Sequence, residues 1–202
     1  MGTIALVTLC YLIGSLSFAV MISRAYGLPD PRSYGSGNPG ATNVMRSGQK
    51  TAAILTLLGD GVKGWAAVFL AQALAPYWGV SESGIAWAAL AAFLGHLYPL
   101  FFGFKGGKGV ATTAGILLAL NLWLGLAVLA TWAVVFILSR ISSLSALAAA
   151  ASAPVYALFF LHQPTVAMVF VLALLLIWRH RSNIRNLLQG KESGFKKAEE
   201  SN

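Results

Sequence analysis

The stretch VATTAGILLALNLWLGLAVLATWAVVFIL, residues Val110–Leu138, runs for 29 residues without a charged side chain. About 20 predominantly apolar residues are enough for a helix to cross a bilayer. The whole chain agrees, because 57% of its 202 residues are hydrophobic and only 10% are charged. An ordinary soluble domain is about 45–50% apolar and about 25% charged. Composition therefore excludes a soluble globule, a disordered chain and a coiled coil, and it predicts an all-α polytopic membrane protein.

Five further apolar runs are long enough, or nearly long enough, to cross a bilayer as helices. They are Thr3–Ser23, Thr51–Pro76, Ile85–Phe102, Ile141–Leu161 and Thr165–Trp178. The first run has no basic residue before it, so we interpret it as a span and not as a cleavable signal. The second contains Asp60 and Lys63 three residues apart, a spacing that fits either a structural ion pair or a catalytic pair inside the membrane.

The long run Val110–Leu138 has two interpretations. One helix would measure about 44 Å, well beyond the roughly 30 Å hydrocarbon core, whereas two helices would each be only about 21 Å long. A hairpin near Asn121–Gly125 places 13 of the 14 Lys and Arg residues on the cytoplasmic side, leaving Lys63 inside the membrane. The sequence thus predicts seven transmembrane helices, two of them short, with the N-terminus outside and the C-terminus cytoplasmic. A re-entrant pair is the alternative.

We assign residues 1–190 to one integral-membrane domain and residues 191–202 to a polar cytoplasmic tail. The net charge of +8 comes from basic residues that lie between apolar runs, so topology explains it and no nucleic-acid partner is expected. The one cysteine, Cys10, excludes a disulfide within the chain, and three scattered histidines predict no metal cluster. We expect His96 to be a core histidine and His162 to lie at the outer interface.

The loop after the first span, YGSGNPGATNVMR over residues 34–46, has an unusual density of hydrogen-bond donors. Its glycines allow backbone N–H groups to turn towards one point as an anion nest, and Arg46 carries a planar fork of donors that matches a phosphate. Four further side chains are neutral donors: Ser36, Asn38, Thr42 and Asn43. These features favour a phosphate-binding loop over an ordinary turn-rich connection.

A second loop, FGFKGGKGVAT over residues 102–112, resembles a phosphate cradle at the start of a new helix. Its central residues are Lys105, Gly106, Gly107 and Lys108. The spacing is one residue short of a Walker A loop, and Gly109 stands where the Ser or Thr ligand of Mg²⁺ is required, so nucleotide hydrolysis is not predicted. The alternative is a basic interfacial turn that only sets topology.

A third basic segment, RHRSNIR over residues 179–185, continues the last span out of the membrane. His180 and Asn183 are three residues apart and share a helix face. A signal that stops membrane insertion would explain the arginines but neither of these two residues. Both a functional and a purely topological role are open for this segment taken by itself.

Three motifs resemble those of the bacterial acyl-phosphate:glycerol-3-phosphate acyltransferases. They are GSGNPGATNVMR at residues 35–46, GHLYP with FKGGKGVAT within residues 95–112, and RHRSNI with GKE within residues 179–192. The resemblance covers nearly the whole chain and implies a seven-helix enzyme of the bacterial inner membrane with its site facing the cytoplasm. The implied reaction moves a fatty acyl group from acyl phosphate to the sn-1 hydroxyl of glycerol 3-phosphate, which gives lysophosphatidate and phosphate in the first step of phospholipid synthesis.

The resemblance also implies roles for individual residues. The ligands of the substrate phosphates would be Ser36, Arg46, Lys105, His180 and Asn183. Gly106 and Gly107 would let the backbone approach the substrate, and Glu192 would maintain structural integrity. The third motif commonly has an acidic residue where this chain has Ser182.

The implied chemistry needs neither a metal ion nor an organic cofactor. The sequence contains no His-x₄-Asp pair and no Gly-x-Ser-x-Gly elbow. An acyl phosphate is already activated, so the enzyme has to neutralise charge, orient the hydroxyl and exclude water, and the substrate's own phosphate is the expected proton acceptor. The implied partners are the two substrates, membrane lipids and the cytosolic enzyme that makes acyl phosphate.

Two other functions share some of these features. A transporter or flippase for a phosphorylated small molecule would also use basic loops, but it predicts polar residues that continue to the outer face, where the sequence has almost none. A small membrane scaffold that binds anionic lipid would explain the charge but not the spacing of the glycine motifs.

Overall fold

The computed structural model describes residues 1–192, and over these residues the chain is helical without any β-strand. Ten α-helices and one short 3₁₀ helix, Leu100–Phe102, follow one another in the described part. The α-helices are α1 (Gly2–Gly14), α2 (Phe18–Ala25), α3 (Ala41–Met45), α4 (Lys50–Leu74), α5 (Glu82–Leu97), α6 (Val110–Leu120), α7 (Leu122–Ser139), α8 (Ser142–Phe160), α9 (Thr165–Arg179) and α10 (Arg181–Leu188). The predicted all-α class is confirmed.

The chain divides into two compact units, Met1–Leu120 with α1 to α6 and Asn121–Asn202 with α7 to α10. The boundary falls in the uncharged run, at the predicted turn. Asn121 has extended backbone, and its side-chain oxygen accepts a hydrogen bond from the N–H of Leu124 at 3.1 Å, which caps the first turn of α7. The run therefore forms two helices, as the sequence predicts. The single domain over residues 1–190 stays a prediction, and residues 193–202 of the predicted tail lie outside the described residues.

Five segments of the described chain are long and apolar enough to cross a membrane. They are Gly2–Ala25, Lys50–Leu74, Glu82–Phe102, Leu122–Ser139 and Ser142–Phe160. A sixth is possible if α9 and α10, which are bent by 58° relative to one another, form one broken span. The predicted count of seven also needs α6, which has only 11 residues, to cross. That count and the orientation of the termini stay predictions.

The first apolar run stays one candidate span, but it is not one continuous helix. Helix α1 ends at Gly14 and α2 begins at Phe18, and the intervening backbone lies next to a buried side chain of α4. The ammonium group of Lys63 donates to the carbonyl oxygen of Leu16 at 2.5 Å. Non-helical backbone at membrane depth needs such a partner inside the protein, because lipid offers none. The apolar pattern of the run continues through the break and therefore does not reveal it.

Glycines allow the helices of the first unit to approach closely. A Cβ atom built on Gly14 or Gly95 would overlap backbone atoms across the contact between α1 and α5, and one built on Gly64 or Gly115 would do so between α4 and α6. Small residues at helix contacts are typical of membrane proteins, where van der Waals packing takes the place of the hydrophobic effect. This packing fixes the ends of α5 and α6, between which the second predicted loop lies.

In the second unit, α8 lies between α7 and α9 and presents a face of small side chains. Five alanines of α8 are buried: Ala146, Ala149, Ala150, Ala153 and Ala157. Much of α7 leaves large apolar side chains exposed, as a lipid-facing helix does.

Candidate functional site

The first predicted phosphate loop is organised by one buried amide, the side chain of Asn43 on α3. Its oxygen accepts the backbone N–H of Ser36 at 3.0 Å. Its nitrogen donates to the carbonyl oxygens of Pro31 at 2.6 Å and Tyr34 at 3.1 Å. Asn43 is 1% exposed, so these bonds are shielded from competing water. One side chain therefore fixes the path of the loop while Ser36 stays exposed.

Glycine is required within this loop for both conformation and space. Gly35 and Gly37 have φ angles of +59° and +66°, in the left-handed region that favours glycine. A Cβ atom on Gly35 would overlap the side-chain oxygen of Asn43 and lie 3.3 Å from Cδ of Arg46. Because Gly35 has no side chain, the aliphatic part of Arg46 has room to cross the loop beside Ser36. The remaining predicted donors of the loop, Asn38 and Thr42, are half-buried and exposed, respectively.

The second predicted loop packs against His96 at the end of α5. The N–H of Gly107 donates to the carbonyl oxygen of His96 at 3.2 Å. A Cβ atom on Gly106 would overlap that carbonyl, and one on Gly107 would overlap Nε2 of the imidazole. The same atom on Gly107 would lie 2.9 Å from the carbonyl oxygen of Pro39 in the first loop. The two loops therefore meet at Gly107, and packing within the protein is itself a reason for glycine at both positions.

An ion pair that the sequence does not predict ties the segment just before the first loop to the start of the second loop. Arg32 contacts the Asp30 carboxylate through Nη2 at 2.7 Å and through Nε at 2.9 Å, and its Nη1 donates to the carbonyl oxygen of Phe102 at 2.8 Å. The guanidinium of Arg32 lowers the pKa of Asp30 through these hydrogen bonds. We call Asp30 and Arg32 the loop clamp. Opposite charges two residues apart were its only sequence signal, and nothing in the sequence indicates the bond to Phe102.

An open cavity of about 590 Å³ lies beside the loop clamp. It is lined by Asp30, Arg32, Ser33, Phe102, Gly103 and Lys105. Lys105, a predicted phosphate ligand, is therefore exposed at a concave surface, three residues after the carbonyl that Arg32 holds. Lys108 is half-buried at the other end of the KGGK segment.

A buried polar cluster lies beneath the second loop, formed by Asp60 and Lys63 of α4, His96 of α5 and Thr112 of α6. None of the four is more than 7% exposed. Oδ1 of Asp60 lies 2.7 Å from the Lys63 ammonium and 3.6 Å from Nδ1 of His96, which is also 3.1 Å from the Thr112 hydroxyl. His96 is thus a buried histidine with polar neighbours, as predicted. Asp60 and Lys63 form an ion pair, one of the two alternatives that their spacing allowed.

The third predicted segment lies in the second unit, around the bend between α9 and α10. The carboxylate of Glu192 accepts hydrogen bonds from the side chains of Asn183 and Ser143, both at 2.6 Å. Nδ1 of His180 lies 2.8 Å from the carbonyl oxygen of Leu176, which assigns a proton to Nδ1 and makes Nε2 the acceptor of the neutral ring. Glu192, which the sequence analysis placed in the tail, is therefore held by the helices of its unit.

The predicted site residues fall into two groups. In the first unit, Ser36 and Arg46 belong to the first loop and Lys105, Gly106, Gly107 and Lys108 to the second, and the two loops touch where Gly107 meets Pro39. The second unit brings together His180, Asn183 and Glu192. Within residues 1–192 no three His, Cys, Asp or Glu side chains are grouped as a metal site would need.

A family model described as glycerol-3-phosphate acyltransferase matches residues 4–190. The chain belongs to this family. A glycerol-3-phosphate acyltransferase of Ralstonia nicotianae is 62% identical over 193 residues, covering 95% of this chain and 93% of the relative. Another, of Thiobacillus denitrificans, is 60% identical over 189 residues, covering 93% and 94%. The resemblance carried by the three motifs is thereby confirmed.

Two crystal structures of PlsY, an integral membrane glycerol 3-phosphate acyltransferase, share the fold. One is the glycerol 3-phosphate form, with a TM-score of 0.88, and the other is the lysophosphatidic acid form, with a TM-score of 0.87. In both cases the sequences are 36% identical and the match covers 96% of each chain. The predicted class of an all-α integral membrane acyltransferase is confirmed by this likeness.

Proposed function

We propose that this protein transfers a fatty acyl group from acyl phosphate to the sn-1 hydroxyl of glycerol 3-phosphate and releases lysophosphatidate and phosphate. Acyl transfer to glycerol 3-phosphate is the activity after which its family is named. A relative of known structure has both a glycerol 3-phosphate form and a lysophosphatidic acid form, which match the acceptor and the product of this reaction. Acyl phosphate as the donor is inferred from the three motifs.

The contact between the first two loops is the main structural support for this function. Gly107 abuts the carbonyl of Pro39, so the two loops touch, and we infer that their donors serve one substrate site. In the proposal Ser36, Arg46 and Lys105 bind substrate phosphate there, and Lys108 adds positive charge. Substrate and donor each carry a phosphate, and a guanidinium fork with an ammonium matches such groups. In the second unit, we propose that His180 and Asn183 bind phosphate, with Glu192 holding the amide of Asn183 in place.

The chemistry proceeds without a covalent acyl-enzyme in this proposal. The sn-1 oxygen attacks the acyl carbon, the bond between that carbon and the phosphate oxygen breaks, and the hydroxyl proton passes to substrate phosphate. The carboxylates of Asp30, Asp60 and Glu192 already interact with neighbouring side chains, which supports a proton acceptor on the substrate. The protein contributes orientation and neutralisation of charge.

The location that goes with this function is the cytoplasmic face of a bacterial inner membrane. Acyl phosphate would reach the site from the cytosolic enzyme that makes it, and the lipid product would stay in the membrane. The Lys and Arg residues of the three motifs support this side, because basic loops are retained in the cytoplasm.

The test is an acyl-transfer assay on the purified full-length protein with labelled glycerol 3-phosphate. Palmitoyl phosphate, palmitoyl-CoA and palmitoyl-acyl carrier protein are supplied separately, with and without EDTA. We expect lysophosphatidate from palmitoyl phosphate alone, and equal rates with EDTA because the predicted ligands bind phosphate directly. Product from either thioester alone would overturn the assigned donor. A folded sample that is inactive with every donor would favour transport, which a liposome flux assay measures.

A further inference from the structure

The buried polar cluster of Asp60, Lys63, His96 and Thr112 connects the helices of the first unit to the second loop. Lys63 bonds the carbonyl of Leu16, where the first span is broken, and pairs with Asp60. Asp60 and Thr112 both face Nδ1 of His96, at 3.6 Å and 3.1 Å. Charged and polar groups inside a membrane span are costly, so their presence calls for a role.

His96 supports the second loop through two of its groups. Its backbone carbonyl accepts the N–H of Gly107 at 3.2 Å, and its imidazole Nε2 lies where a Cβ atom built on the same glycine would overlap it. A proton on Nδ1 would point towards the Thr112 hydroxyl and the Asp60 carboxylate, and this defines the plane of the ring. The orientation of the imidazole and the position of Gly107 are therefore linked.

We propose that Asp60 and Thr112 are positioning residues that act through His96 on the Lys105–Lys108 segment, and that Lys63 keeps Asp60 in place. The proposal rests on the phosphate-binding function proposed for that segment, and it takes glycerol 3-phosphate as the substrate that binds there. The cluster itself does not touch substrate. It sets the height of the loop against Pro39, and hence the distance between the donors of the two loops. If the cluster is less well ordered, the phosphate-binding donors are held less precisely.

Two adjacent residues of α6 provide a matched test. Thr112→Val removes the hydroxyl that faces His96 but keeps both branches of the side chain, including the methyl group that packs near Gly64. Thr113→Val is the control, because the buried hydroxyl of Thr113 has no hydrogen-bond partner among the described residues. Thr112→Ser restores a hydroxyl and is the conservative rescue. A double variant, Asp60→Asn with Lys63→Gln, removes both charges while it keeps a hydrogen-bonding group at each position.

We expect Thr112→Val to raise KM for glycerol 3-phosphate roughly tenfold, with a smaller change in kcat. Misplacement of a substrate-binding group can reduce activity by up to about a hundredfold. The double variant should act in the same direction, whereas Thr112→Ser and Thr113→Val should keep the KM of the wild type. Titration calorimetry with glycerol 3-phosphate alone should show the same order of affinities. Thermal unfolding reports whether each variant is folded.

Several outcomes would overturn the proposal. An unchanged KM and affinity in Thr112→Val would show that the cluster does not position the loop, and this variant decides if the double variant fails to fold. A lower Tm with unchanged KM would show a purely structural cluster. If the wild type binds glycerol 3-phosphate but is inactive with every donor, the proposed reaction fails, while the calorimetric comparison still tests the positioning role.

Discussion

Arg46 leaves the end of α3 and passes over Gly35, whose missing side chain makes room for its stem. Arg46 is exposed there, and its planar fork of donors matches the geometry of a phosphate. We expect Arg46→Lys to reduce kcat/KM for glycerol 3-phosphate about tenfold or more, because one charge-assisted hydrogen bond contributes about 1.5–3 kcal/mol. Steady-state kinetics with palmitoyl phosphate measure this. Arg140→Lys, at an exposed residue beyond α7, is the control. Near-wild-type kinetics in Arg46→Lys would remove Arg46 from the site.

The loop clamp predicts a pH dependence at a single carboxyl. Arg32 lowers the pKa of Asp30, so the clamp stabilises the folded protein above the unfolded pKa of about 3.9 and loses that contribution as pH falls through the lower folded value. The pair is part-exposed, and its contribution is about 0.5–1 kcal/mol.

We therefore expect Asp30→Asn to lower Tm slightly at pH 7, with the difference from the wild type shrinking below about pH 4. Thermal scans of both proteins across pH 3 to 8 test this sign. A difference that grows in acid would contradict it. In the same series, Ser33→Ala is the control: it removes a hydrogen bond to the backbone carbonyl of Asp30, at 2.8 Å, so any change in Tm should not depend on pH.

At the residue scale, the sequence predicts donors better than it predicts what holds them. Ser36, Arg46 and Lys105 stand out because glycines and basic groups of this density are uncommon in ordinary turns. Arg32 does not stand out, since a basic residue near an acidic one is typical of any solvated loop. Its partner, the carbonyl of Phe102, is 70 residues away along the chain. Only the folded chain brings these two groups together.

The second loop is an element whose glycines are tested by adding one methyl group. In Gly107→Ala the new Cβ would overlap the His96 ring and lie 2.9 Å from the Pro39 carbonyl, which is backbone and cannot rotate away. Overpacking of this kind costs about 1–3 kcal/mol. We expect a lower Tm and a higher KM for glycerol 3-phosphate.

Gly61, which has space for a Cβ atom, is the matched control for Gly107. Gly61 lies within helix α4. In Gly61→Ala the new Cβ would contact only the carbonyl oxygen of Ala111, at 3.8 Å. Alanine is favoured over glycine in a helix by about 1 kcal/mol, so Tm should stay equal or rise and KM should not change. If both variants behave alike, the contact between the loops at Gly107 does not matter for binding.

At the element scale, hydropathy predicts helices well when a polar residue interrupts the apolar pattern. Asn121 marks the division of Val110–Leu138, and the structure places the cap of α7 there. The break after Gly14 gives no such signal. Its polar residues, Ser15 and Ser17, are serines, which are common within transmembrane helices. What stabilises the break is Lys63, from another helix, and a pattern along one helix cannot reveal it.

For the whole molecule, composition and the three motifs establish the class and the family, because both depend on residues close together in the chain. The grouping of the donors depends on distant contacts. Gly107 meets Pro39 where close helix contacts fix the ends of α5 and α6. The sequence proposes which residues belong to a site, and the packing of helices determines which of them meet.

The predicted topology can be tested at one position, His162. If Val110–Leu138 crosses the membrane twice, the connection between α8 and α9 lies outside the cell; if it crosses once, this connection is cytoplasmic. His162 is exposed there. In a background with Cys10→Ala, which removes the one native cysteine, we expect His162→Cys to react with a membrane-impermeant maleimide on intact spheroplasts. Ser83→Cys and Gln49→Cys are the outer and inner references, and both positions are exposed. If His162→Cys is labelled only after permeabilisation, as expected for Gln49→Cys, the connection between α8 and α9 is cytoplasmic. That result would reject the prediction of seven helices.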